Sequence, residues 1–311
     1  MTRILVTDGI ETSAADALRQ KGFELIEKSC TPETLKQELQ DCDAIIIRSA
    51  TKLTKEIIES AKQAGRLSLI VRGGVGVDNI DVACAKESGI TVRNTPCASS
   101  LAVAELTIGH IFSLARHLYT ANTTMHAGLW EKKKLEGVEI AGKTLGLIGF
   151  GHIAQQVARL ASALGMKVLY HTRSGKKDGF DAFESVPLDE LLRRSDFISL
   201  HVPYDKAAGA LIGEREFALM KDGVYLVNCA RGGVVNEAAL LAALDSGKVA
   251  AAAVDVFADE PTRNERLCAH DRVCLSPHIG ASTVEAQQKI GAEIVDIVDE
   301  FFGTGKAVSV G

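Results

Sequence analysis

Along residues 1–98, short apolar runs alternate with stretches whose apolar positions recur at helical spacing. Residues 4–6, 44–47, 67–71 and 90–92 are short, mainly apolar runs, which predicts buried strands, and residues 14–18, 57–61 and 82–85 predict helices between them. This alternation is the signature of a parallel α/β domain. Asn94-Thr95-Pro96 ends it, because a proline and the residue before it disfavour continuing either element. Ser99 or Ser100 then caps a long helix predicted over 101–121. Its first half, LAVAELTIGHIFSLA, is apolar almost all round, which puts it in an interior between domains.

The pattern restarts at Lys143. Residues 145–149 predict another doubly buried strand, which runs into Gly149-Phe150-Gly151-His152-Ile153-Ala154 and then a helix with apolar positions Ile153, Val157, Leu160, Ala161 and Leu164. A G-x-G-x-x-A turn in that setting suits a dinucleotide. Gly149 allows the tight turn, Gly151 has no Cβ to obstruct a pyrophosphate, and Ala154 lets the helix close on the strand. Further strands are predicted at 167–171, 196–200, 224–228, 250–256 and 273–276. The last helix shows a capping box of Ser282 with Glu285 and an apolar stripe of Ile290, Ile294, Ile297, Val298 and Phe301, and is expected to pack back on the first domain.

Composition narrows the function classes. A length of 311 residues favours two domains, and 46 % hydrophobic with 24 % charged residues is ordinary for a soluble globular chain. A net charge of −5 argues against a nucleic-acid surface, and no apolar run is long enough to span a membrane. The N-terminus runs directly into a strand without a signal-peptide core, and the seven cysteines show neither C-x-x-C pairs nor metal-ligand spacing. The expectation is a cytoplasmic protein with reduced thiols and no metal.

Three polar residues follow predicted strands: Arg231 in NCARGG, Glu260 in DVFADEP and His278 in SPHIGAS. The carboxyl ends of strands in an open parallel sheet face the ligand crevice, so these side chains are expected beside the cofactor. Their chemistry suits hydride transfer to a carbonyl. An arginine polarises C=O and grips a carboxylate, a histidine exchanges the hydroxyl proton, and a glutamate orients the histidine. A second glycine cluster, Arg72-Gly73-Gly74-Val75-Gly76, is either an anion nest or a turn that tolerates positive φ.

RSATKLT, RGGVGVDNID, NTP, LAVAELT, WEKKK, GKTLGLIGFGHI, NCARGGVV, DVFADEP and SPHIGAST occur in this order over nearly the whole chain. Together they resemble the D-isomer-specific 2-hydroxyacid dehydrogenase family. The resemblance implies two doubly wound parallel-sheet α/β domains: a Rossmann dinucleotide-binding domain, 99–282, inserted into a flavodoxin-like substrate-binding domain, 1–98 plus 283–311. It also implies a homodimer formed through the long-helix region. It gives Arg231, Glu260 and His278 the catalytic roles. The cofactor would lie on Gly149, Gly151, His152, Ile153, His171, Arg173, Val202, Cys229, Ala230, Asp255, His278 and Gly280, with Asp255 on the nicotinamide amide. The substrate would meet Arg231 and His278, the Val75 and Gly76 N–H groups, and Arg48 and Arg72 at its distal end. A phosphorylated 2-hydroxy or 2-oxo acid is therefore expected, with oxidation of 3-phospho-D-glycerate as the leading reaction. Reduction of glyoxylate or hydroxypyruvate is the alternative, and a nicotinamide-sensing corepressor is the alternative from another class.

Two departures from the family pattern bear on function. The sequence ends at Gly311, where longer members carry a regulatory extension, so feedback through such a domain is not expected. His171 stands where relatives that use NAD have a carboxylate, and Arg173, Ser174 and Lys176 follow it. The repulsion of a 2′-phosphate is then missing, so the cofactor is expected to be NAD or NADP.

Overall fold

The computed structural model describes residues 1–303, and its chain divides into two compact units, 1–99 with 281–303, and 100–280. The last part of the expected 283–311 segment, residues 304–311, lies outside the described residues.

The first unit is built on a parallel sheet of β1 (Arg3–Val6), β2 (Glu24–Glu27), β3 (Ala44–Ile47), β4 (Leu69–Arg72) and β5 (Thr91–Asn94), in the order β2-β1-β3-β4-β5. This is the flavodoxin-like order. Helices α1 (Thr12–Gln20), α2 (Pro32–Glu38), α3 (Lys55–Ala64) and α4 (Val82–Glu87) connect the strands. All four residues of β3 are fully buried, as a central strand covered on both faces requires. Apolar clusters fill the two sides, one around Ile45, Ile47, Ile57 and Ile58, the other around Ile4, Ile46, Val71 and Ile294.

In the second unit α5 (Ser100–Ala115) and α6 (Leu118–His126) precede β6 (Thr144–Ile148), α7 (His152–Ala163), β7 (Lys167–His171) and β8 (Glu184–Ser185). The chain continues through α8 (Leu188–Arg194), β9 (Phe197–Leu200), α9 (Glu214–Leu219), β10 (Val224–Asn228), α10 (Glu237–Asp245), β11 (Val249–Val254), α11 (Glu265–Ala269) and β12 (Val273–Leu275). It then returns to the first unit as α12 (Val284–Phe302), which packs on α1 and β4. The order β12-β11-β10-β9-β6-β7-β8, all parallel, is a Rossmann arrangement with one added edge strand. Its connectivity reverses between β6 and β9, where the glycine turn lies.

The structure departs from expectation in five places. The helix predicted over 101–121 is two helices, because His117 adopts φ +52° and its Nε2 donates to the Glu136 carbonyl at 3.1 Å. The last helix is capped by Thr283, whose hydroxyl accepts the Ala286 N–H at 3.1 Å, so the expected Ser282 box is displaced by one residue. Strands β2 and β8 and helix α2 have no counterpart in the sequence prediction. Among the described residues no helix is long and apolar enough to cross a membrane.

Candidate active site

The β6–α7 turn fits a pyrophosphate. Gly149 sits at φ +91°, and a Cβ there would run into the backbone carbonyl of His201 and stand 2.9 Å from Val202 Cγ1, so only glycine can make this turn. Gly151 is the residue before α7, and a Cβ on it would meet nothing within 4 Å. The space beside Gly151 opens onto the first turn of α7, where the N–H groups of His152 and Ile153 and the positive end of the helix dipole lie. Ala154 is fully buried against the sheet, and Phe150 stacks on Tyr170 of β7 with ring centroids 3.8 Å apart, which pins the turn.

The remaining residues named for the cofactor also follow the carboxyl ends of strands: His171 and Arg173 at β7, Val202 after β9, Cys229 and Ala230 after β10, Asp255 after β11, and His278 and Gly280 after β12. His171 Nδ1 donates to the Val186 carbonyl at 3.1 Å, which leaves Nε2 of the neutral ring as an acceptor. Arg173 is exposed, whereas Lys176 pairs with Asp181 at 2.5 Å. Burial pushes the Cys229 thiol up to about 12, which makes it a packing residue and not a nucleophile.

Arg231, Glu260 and His278 are brought together within this unit. His278 Nδ1 lies 2.7 Å from Glu260 Oε2, and Glu260 Oε1 accepts the Phe257 N–H at 3.1 Å. An ionised carboxylate only accepts, so Nδ1 carries the hydrogen and Nε2 is the ring nitrogen outside this pair. Burial pushes the Glu260 carboxyl up, but the His278 hydrogen bond and charge, the Phe257 N–H and the Arg231 guanidinium outweigh it and hold the group below the usual carboxylate range. Glu260 thus stays negative through neutral pH and favours the imidazolium. The expected result for Glu260→Gln follows from that sign. In the reductive direction, the limb where activity falls with rising pH moves to lower pH, because the protonated histidine loses its partner. A profile of kcat/KM against pH that does not move refutes the pairing.

Other side chains set these three in place, and none stands out in the sequence. Glu237, opening α10, accepts the Ala258 N–H at 3.0 Å and the Asn264 amide at 2.6 Å, which ties down the loop that carries Glu260. Asn228, at the end of β10, accepts the Ala230 N–H and donates to the Arg231 carbonyl, both at 3.1 Å. Gly232 lies directly under that loop, and a Cβ there would fall on the Phe257 carbonyl.

In the first unit Arg48 directly follows β3, and Arg72 ends the neighbouring strand β4. The loop after Arg48 is clamped from two sides. Asp8 accepts the Arg48 N–H at 2.7 Å and the Thr51 N–H at 3.0 Å, and the Asn79 amide donates to the Arg48 and Thr51 carbonyls. Arg72 folds back on its own loop, with Nη1 donating to the Gly73 carbonyl at 3.4 Å and the guanidinium occupying the space a Cβ at Gly74 would need. The carbonyls of Gly74 and Val75 are taken by the Thr95 N–H at 3.1 Å and the Asn94 amide at 2.5 Å, which fixes the loop that carries the Val75 and Gly76 N–H groups. Among the described residues no group of three His, Cys, Asp or Glu side chains can hold a metal ion.

A Rossmann sheet with an open glycine turn and a histidine–carboxylate pair at its strand ends defines a nicotinamide-dependent dehydrogenase. Residues 108–280 match the family described as D-isomer specific 2-hydroxyacid dehydrogenase, NAD binding domain, and the chain belongs to that family. It is 44 % identical over 305 residues to a hydroxypyruvate reductase of Thermotoga maritima, covering 97 % of this chain and 98 % of that one. It is 42 % identical over 311 residues to a D-3-phosphoglycerate dehydrogenase of Sus scrofa, covering 99 % of this chain but only 58 % of the length of the pig protein. A crystal structure of a glyoxylate reductase from Paecilomyes thermophila superposes with a TM-score of 0.89 at 34 % identity, over 98 % of this chain and 96 % of that one.

Proposed function

We propose that this chain transfers a hydride between a nicotinamide cofactor and C2 of a D-2-hydroxy acid, with 3-phospho-D-glycerate and 3-phosphohydroxypyruvate as the substrate pair. The observation that carries the chemistry is the 2.7 Å His278–Glu260 pair with Arg231 bearing on the same carboxylate. When bound, the nicotinamide ring gives or takes the hydride. Arg231 grips the substrate carboxylate and polarises the C2 oxygen, as a planar two-pronged cation does best. In reduction, His278 Nε2–H passes its proton to that oxygen, and in oxidation the neutral Nε2 takes it from the hydroxyl. Glu260 stabilises the imidazolium in both directions. The Val75 and Gly76 N–H groups serve the carboxylate, and Asp255 the nicotinamide amide.

The phosphate is assigned to Arg48, whose backbone Asp8 and Asn79 hold, together with Arg72. Hydroxypyruvate reduction is the second reading, favoured by Arg72, whose guanidinium lies on its own loop. Steady-state rates with the phosphorylated and unphosphorylated acids separate the two. Arg48→Ala is expected to raise KM for 3-phosphoglycerate roughly tenfold or more and KM for glycerate far less, since it removes charge-assisted bonds that only the phosphate makes. A wild-type preference for hydroxypyruvate over the phosphorylated acid makes the second reading the better one.

The cofactor follows from His171. Its Nε2 can accept from a ribose hydroxyl, and it carries no negative charge to repel a 2′-phosphate, which Arg173 can bind. Acceptance of NADP alongside or in place of NAD is expected, with His171→Asp shifting kcat/KM toward NAD. A wild type that rejects NADP, with Arg173→Ala changing nothing, contradicts this. Leu118, Met125, Leu129 and Trp130 are exposed on and after α6, in keeping with a homodimer formed there, and seven free cysteines fit a cytoplasmic setting.

A further inference from the structure

His110 is a buried histidine with no part in the proposed reaction. It lies on α5, 5 % exposed, with Nε2 3.1 Å from Ser276 Oγ and Nδ1 3.7 Å from Cys274 Sγ. Ser276 in turn donates to Asp255 Oδ1 at 2.6 Å, and the same carboxylate, 1 % exposed, accepts the Ile279 N–H at 2.9 Å and the Gly280 N–H at 3.0 Å.

The direction of every hydrogen in this chain follows from counting donors. An ionised carboxyl only accepts, and a hydroxyl has one proton. Ser276 commits that proton to Asp255, so it can only accept from His110, and His110 Nε2 must carry the hydrogen. Burial pushes His110 below its ordinary value, so the ring is neutral and its Nδ1 holds a lone pair. That lone pair faces Cys274, whose thiol burial pushes up and so keeps protonated against the Ser113 hydroxyl beside it. The hydrogens therefore run one way, from Cys274 through His110 and Ser276 to Asp255. At the far end are the N–H groups of the two residues that follow His278. His278 sits at φ +53°, a conformation that a residue with a side chain keeps only where its surroundings impose it.

We propose that His110 is a positioning residue for His278: through Ser276 it orients Asp255, and Asp255 holds the 276–280 turn that aims the imidazole. This rests on the reading of His278 as the acid/base. A histidine on a buried helix, more than 160 positions away in sequence, thus sets the geometry of the proton-transfer group without touching substrate or cofactor.

The test compares His110→Leu, which loses both bonds, with His110→Gln, whose amide keeps an N–H donor for Ser276. Loss of the buried bond to Ser276 is expected to lower kcat about tenfold in the leucine variant, with KM for the 2-oxo acid nearly unchanged, and glutamine is expected to recover most of the rate. Ser276→Ala should match His110→Leu, and the double variant should be no slower than either, because one network is being cut twice. Amide hydrogen exchange at residues 279 and 280 supplies a readout independent of turnover: it is expected to quicken in His110→Leu and in Ser276→Ala, and not in His110→Gln. Wild-type exchange and kcat in the leucine variant, losses that multiply in the double variant, or glutamine behaving as leucine would each overturn the proposal. Quickened exchange in a protein that turns over no 2-oxo acid retires the catalytic reading and keeps the network.

Discussion

Replacing His278 by alanine is expected to lower kcat/KM for the 2-oxo acid by a factor of order 100 or more, since positioned proton transfer contributes ~10²–10⁴-fold. The fold should persist, because the His278 side chain is about a third exposed and its ring bonds Glu260 at the surface. Arg231→Ala should cost a comparable factor for a different reason. It removes the cation that polarises the carbonyl, so both KM and kcat suffer, whereas His278→Ala acts chiefly on kcat. Circular dichroism and thermal melting establish that each variant is folded, and initial rates then separate the two effects. Near-native turnover by His278→Ala on the preferred substrate refutes its assignment.

Gly232→Ala is expected to be almost as damaging, although it deletes nothing. The added Cβ would fall on the Phe257 carbonyl and lie 2.8 Å from Ala258 N, all backbone atoms that cannot rotate away. Either the Arg231 loop or the Glu260 loop must shift, at about 1–3 kcal/mol for overpacking. A displacement of about 1 Å at a catalytic group costs on the order of 10² in rate. Gly109→Ala is the matched control, since a Cβ there meets nothing within 4 Å and its φ is not positive. It should leave activity intact and, as a glycine-to-alanine change in a helix, raise stability by up to about 1 kcal/mol. If Gly232→Ala keeps full activity and its wild-type melting temperature, the packing of Gly232 against the 257–260 loop is refuted.

The parallel α/β class and the central strands were legible because their signals are local. β3 is four apolar residues in a row, and the strand–glycine–helix passage at 144–154 contains its own turn chemistry. Edge elements were not legible. β2, Glu-Leu-Ile-Glu, is only half-buried and pairs on one side, β8 has two residues, and α2 buries only Leu35. The break at His117 carried no glycine or proline to announce it. The clamps were invisible for a different reason: Asp8 on Arg48, Glu237 on Ala258 and His110 on Ser276 join residues 21 to 166 positions apart. Such partners become apparent only once the sheet has brought strand ends together. Arg72 marks the limit of reading charge from sequence, because the same guanidinium that suggests a phosphate site also packs over Gly74.

The most direct test of hydride exchange with a D-2-hydroxy acid uses reduced cofactor deuterated at the transferring position, mixed with 3-phosphohydroxypyruvate, hydroxypyruvate and glyoxylate in turn. The account predicts oxidation of the cofactor by at least one of them, with deuterium at C2 of the product and, where C2 is a stereocentre that tells the hands apart, the D configuration. Cofactor that binds but is oxidised by none of these acids, or a product of L configuration, would contradict it.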